Sequence, residues 1–221
     1  MIAKNFISSV PAPIRNTETG TDVLFHLDEN RLPDMPVVDK NNLLGSVIES
    51  DIFLLEDPDA PLAGQKVAFR RHFVYEYQHV FDVIKTMASS GLTVLPVLDA
   101  KEKYTGCIVQ HTLLEMLASM LAVDNPGAIL VLEVNQRDYV LSEIARIVES
   151  QDLKILNLFL TTEKDSTKMD VTLKLNSMEI QALIQTFNRY NYIIKAAYTE
   201  DEKMYDDLRD RYDSLMKYLS I

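Results

Sequence analysis

Apolar residues along this chain fall into two rhythms, and the switch between them marks out its elements. Val80, Val83, Ile84 and Met87 stand at i, i+3, i+4 and i+7, one face of a predicted helix. An earlier stretch, 22–30, places Val23, Leu24 and Leu27 in the same way, with less regularity. Each helical pattern leads into a short β-branched run, MPVVD or LPVLD, which predicts a strand. Turns follow at 40–42 and 100–103, then second strands at 43–48 and 104–109. A closing helix is expected around 50–55 and again around 111–121.

The same order therefore occurs twice. Pro36, Val37 and Asp39 return as Pro96, Val97 and Asp99, and Gly45 returns as Gly106 after a longer turn. Repetition of this kind predicts two units of one supersecondary type, each covering the other's apolar face and leaving a cleft between them. The expected boundaries are 1–60 for the first repeat and 61–123 for the second, with EDPDAPLAGQ as an exposed linker.

Asp124–Asn125–Pro126–Gly127 halts the preceding helix, and the pattern changes beyond it. An apolar strand is expected at 128–134. Leu141, Ile144, Ala145 and Val148 then form a helical face, with Asp138 as its predicted N-cap. A strand at 154–162 puts Leu156, Leu158 and Leu160 on one side. In KMDVTLKLN, Met169, Val171, Leu173 and Leu175 alternate with polar neighbours, the mark of a half-buried strand. Ile180, Leu183, Ile184 and Phe187 make another helical face, and 192–198 reads as a last strand. The order is βαββαβ over 127–199, for which a ferredoxin-like sheet is the simplest fold, so the fold class is α/β of the α+β kind. From 200 to 221, Tyr205, Leu208, Tyr212, Leu215 and Leu219 are spaced 3, 4, 3, 4. That spacing predicts an amphipathic helix, packed on its own domain or crossing to a second subunit.

Composition narrows the function classes. A formal charge of −11 disfavours nucleic acid, and Arg70–Arg71–His72 is the one short basic patch. No apolar run is long enough to span a bilayer, and the N-terminal stretch lacks the core of a secretory signal, so a cytoplasmic protein with no membrane partner is expected. The single cysteine, Cys107, lies in the apolar run TGCIV and reads as a buried structural thiol. His26, His72, His79 and His111 share no metal-ligand spacing, and no P-loop or nucleophile elbow is present. No catalytic residue and no metal site is assigned; the chain does not read as an enzyme.

The two copies, with their LPVxD-type strands and the glycine opening the next strand, resemble CBS domains, and 1–121 resembles a tandem CBS pair of stacked βαββα-type units. The βαββαβ order and the segment GAILVLEV…RD…LSEIARIVE resemble an ACT domain. A CBS pair followed by an ACT-like domain is similar to the acetoin-utilisation protein family of bacteria. The resemblance implies a regulatory protein that binds an adenosine-bearing ligand in the inter-repeat cleft: AMP, ADP, ATP or S-adenosylmethionine. It further implies a hydroxyl three residues after the glycine for phosphate, and an aspartate three further on for the ribose hydroxyls. In the first copy Gly45 and Asp51 match, with Met35 and Pro36 beside the base, but Ile48 stands at the hydroxyl position. In the second, Pro96 matches, Val109 stands for the hydroxyl and Thr112 for the aspartate. Asp51 also reads as an acid favoured by a helix N-terminus. ACT domains that bind amino acids carry a glycine in the loop after the first strand, and 135–140 has none. An interaction module is therefore the expectation for this half. A homodimer is the expected assembly; a ligand-free scaffold for a partner enzyme is the alternative reading.

Overall fold

The computed structural model describes residues 1–164 and 166–199, and the helix expected at 200–221 lies outside them. The chain divides into two compact units, the first ending at Met116 and the second beginning at Leu117.

In the first unit, β1 (Ile14–Arg15) leads into α1 (Gly20–Asn30), then β2 (Asp34–Asp39), β3 (Asn42–Ile48) and the single turn α2 (Glu49–Ile52). The second copy repeats this as β4 (Val74–Tyr75), α3 (Val80–Ser90), β5 (Val94–Leu98), β6 (Tyr104–Val109) and α4 (Gln110–Met120). Each copy has a three-stranded sheet, β1-β2-β3 or β4-β5-β6, with a parallel first pair and an antiparallel second. The register slips at the same place in both, between Val37 and Val38 and between Val97 and Leu98.

Local chemistry sets the helix ends. Thr19 caps α1 in a reciprocal capping box with Asp22. Gly91, in a left-handed conformation, closes α3. The strands β1 and β4 have two residues each, too few to show a period.

The leader of each copy docks on the other copy. Residues 2–8 lie against the second repeat: Ala3 N donates to Gln78 O (2.9 Å), and Ser8 exchanges backbone hydrogen bonds with Cys107. Residues 58–70 lie against the first repeat: Leu62 N donates to Glu18 O (2.9 Å), and Arg70 exchanges backbone bonds with Ser46 (2.8 Å each way). The segment 56–65, predicted as an exposed linker, is mostly exposed, and its exception is Leu62, buried in the first repeat's core with Ile14, Val23, Leu27, Met35 and Val37.

The second unit has β7 (Ile129–Asn135), α5 (Leu141–Glu149), β8 (Ile155–Thr161), β9 (Lys168–Leu175), α6 (Gln181–Arg189) and β10 (Ile193–Tyr198). Its sheet is antiparallel in the order β10-β7-β9-β8. Both helices share one core with the sheet, Ile144, Ile147, Leu183 and Phe187 packing with Leu130, Leu132, Val171 and Leu173. This is the predicted ferredoxin-like layout.

Three local expectations are corrected. Val140, not Asp138, is the N-cap of α5; the Asp138 carboxylate accepts from Asn135 Nδ2 (3.0 Å) and closes the preceding turn. On α5 the buried face is Ile144, Ile147 and Val148, and Leu141 is exposed. A register shift between Ile155 and Asn157 takes Leu156 out of the predicted leucine row of β8 and leaves it exposed; Leu158 and Leu160 stay on one face, opposite Leu173 and Val171, with Leu158 packed on the core and Leu160 exposed near the strand's end. Within the second unit, Asn157 Nδ2 donates to Met120 O (2.9 Å) at the end of α4.

Candidate functional site between the repeats

Cross-strand partners share a sheet face, so register sorts the first repeat's residues. Met35 pairs with Val47 and Val37 with Gly45, on the face covered by that repeat's own helices. Asp34 pairs with Ile48, Pro36 with Ser46, and Ser46 in turn with Arg70, on the opposite face. That second face meets the other repeat. Asp34, buried, accepts from Thr93 N (2.8 Å), Thr93 Oγ1 (2.7 Å) and Val94 N (2.9 Å). Val38 and Leu43 share a core with Leu98.

Of the six residues singled out from sequence, Met35 is buried in the first repeat's core, on the face that its own helices cover. Pro36 lies on the inter-repeat face and is buried. Pro96, paired with Cys107, is its buried counterpart in the second repeat. Gly45 has φ +150°, and a Cβ there would come within 2.9 Å of Arg70 O and Phe69 Cβ. Gly106, at φ +147°, would in the same way meet Ser8 O at 2.8 Å. What these glycines admit is a docked leader strand.

Asp51 lies on α2, which has one turn instead of the predicted 50–55. So short a helix has little macrodipole. The charge partner of Asp51 is Arg70, whose Nη1 donates to Asp51 Oδ2. The Asp51 side chain is 13% exposed and that of Arg70 36%. Among the described residues no other hydrogen bond engages either charged group. Beside them the hydroxyl of Ser46, fully buried, has no partner.

The second repeat answers this cluster with neutral groups. Val94 stands for Asp34, Cys107 for Ser46, Val109 for Ile48, half-buried Thr112 for Asp51, and Ser8 for Arg70. Burial pushes the Cys107 thiol up to about 11, which favours the protonated form at neutral pH. Burial likewise raises the neighbouring Tyr104 phenol. The polar chemistry of the unit is concentrated at its first site. Arg70, Ser46 and Asp34 escaped sequence reading because their roles depend on which strands meet. Arg70 is drawn to the site by a leader that crosses from one copy to the other.

In the second unit a cavity of about 280 Å³ opens beside the β7–α5 loop, lined by Glu133, Asp138, Glu143, Lys168, Tyr190 and Tyr192 among others. Lys168 is held by Glu133. Partial burial and the Glu143 carboxylate raise the Tyr192 phenol. Among the described residues no group of three or more His, Cys, Asp or Glu is placed to hold a metal, and no helix is long and apolar enough to cross a membrane.

No family model matches the sequence. Among solved structures, the chain is similar to a CBS domain pair/ACT domain protein from Thermotoga maritima, with 22% identity and a TM-score of 0.50 over 55% of this chain and 99% of that one. It is also similar to the CBS domains of a transcriptional regulator from Streptococcus pneumoniae (20% identity, TM-score 0.46, 52% and 98% covered). A third structure, of CBSX2 in complex with AMP, has 17% identity and a TM-score of 0.46, with 53% and 96% covered. The first of these likenesses establishes a fold, that of a CBS domain pair, within a mixed α/β chain.

Proposed function

We propose that this protein is a non-catalytic regulator that binds an adenosine-bearing ligand between its repeats, at the first site only. The observation that carries the reading is Asp51, a largely buried carboxylate beside a fully buried, unpartnered serine hydroxyl on the face that meets the other repeat. A carboxylate accepts from both hydroxyls of a ribose, and the apolar side chains of Pro36 and Ile48 offer a surface for the base. The ligand would bias the angle between the repeats, and α4, in which the chain passes from the first unit to the second, would carry that bias to an ACT-like module. The reading includes a cytoplasmic, bacterial setting and a homodimer. Phe25, Phe81 and Leu114 on the helices and Phe53 and Leu54 just after α2 are exposed apolar groups that a second copy would cover.

A thermal-shift series with AMP, ADP, ATP and S-adenosylmethionine tests it. At about a hundred times its dissociation constant a binder adds roughly 2.7 kcal/mol, a shift of several degrees. Asp51→Asn is expected to abolish that shift. A flat response in every arm, with a sedimentation mass above one chain, would replace this reading with that of a ligand-free dimeric scaffold.

A further inference from the structure

The sequence has no hydroxyl where the resemblance implies a phosphate contact, since Ile48 stands there. The fold brings a different group to the same face. Ser46, two residues before Ile48 on β3, exchanges two backbone hydrogen bonds with Arg70, which sets the arginine on the face that holds Ile48 and Pro36. We propose that Arg70 is the phosphate ligand of this site and that its ion pair with Asp51 is a latch, opened by a phosphorylated adenosine and not by adenosine itself. The proposal rests on the reading of Asp51 as the ribose carboxylate.

A ribose diol held by a carboxylate engages both of its oxygens, and Oδ2 of Asp51 now accepts from Arg70. Ribose binding therefore competes with the ion pair. A guanidinium that loses its carboxylate at this part-buried position is left without its counter-charge, at a cost that solvent reduces because the Arg70 side chain is 36% exposed. Adenosine offers it nothing in return. A 5′-phosphate offers two oxygens to a planar fork with four further N–H donors, the geometry arginine recognises best. The orphaned Ser46 hydroxyl lies on the same face as a second donor. In the second repeat Thr112 has replaced the aspartate and Ser8 the arginine, so both halves of the latch are missing together.

Calorimetric titration of the full chain with AMP and, separately, with adenosine tests the proposal. The wild type is expected to bind AMP at least about tenfold more tightly than adenosine. Arg70→Gln is expected to erase that ratio by weakening AMP, while adenosine binds as well as before or better, since Asp51 is released. Arg70→Lys, which keeps the charge, retains AMP ahead of adenosine and serves where the glutamine variant does not fold. Equal affinities for the two ligands in the wild type, with both lost in Asp51→Asn, would overturn the latch and leave the ribose site standing. An unchanged ratio in Arg70→Gln would overturn it as well. Binding of neither ligand would remove the ribose site and the latch together.

Discussion

Asp34 is a carboxylate in the middle of buried strand residues, and its surroundings explain how it can stay there. Three donors from the opposite repeat converge on its two oxygens, two of them backbone N–H groups at the start of β5. The position has no mirror in the second copy, where Val94 takes its place. The two repeats are thereby joined asymmetrically: one copy supplies the acceptor and the other the donors. Asp34→Ala strands three donors in a buried interface and is expected to cost about 3 kcal/mol, with Asp34→Asn costing less because one acceptor survives. Urea unfolding measures both; a loss under about 0.5 kcal/mol for the alanine variant would mean that the interface does not depend on this carboxylate. Cys107 is buried as well. Its place in an apolar run was legible in the sequence as a structural thiol, and a raised pKa follows from its burial.

Among the elements, those with a clear period were the legible ones. Four turns of alternation in β9 and the i, i+3, i+4, i+7 stripes of α3 and α6 each fix a face, and the structure buries those faces. Elements without enough residues to show a period were missed: β1 and β4 are two residues long and are held by parallel pairing to β2 and β5. The crossed leaders were invisible for a related reason. Nothing in residues 2–8 or 58–70 says which copy they will pair with, since backbone hydrogen bonds carry the docking. Their one sequence signature is the pair Gly45 and Gly106, of which the resemblance assigned Gly45 to the ligand; in the fold both lie where a leader approaches closely. Gly106→Ala puts a Cβ against Ser8 O in a backbone conformation unfavourable to alanine. It is expected to cost roughly 2 kcal/mol and to speed amide exchange at Ser8 and Cys107 well above that of β5. Exchange unchanged at both amides would show that the leader does not need the glycine.

The whole molecule joins a CBS-pair fold to a βαββαβ unit, and its two repeats differ in the residues they place on the face between them. Divergence at Ile48, Val109 and Thr112 was readable from the sequence, because those positions could be laid against each other by the repeat itself. That Arg70 pairs with Ser46 and Asp51 was not, because Arg70 comes from beyond the first copy and reaches it only through folding. The proposed function has the first site bind a ligand and the second not. Its most direct test is the stoichiometry of AMP binding by calorimetry, on the wild type and on Asp51→Asn. One equivalent bound per chain, lost in the variant, is the predicted result. Two equivalents, or one that survives Asp51→Asn, would place the ligand elsewhere and contradict the account.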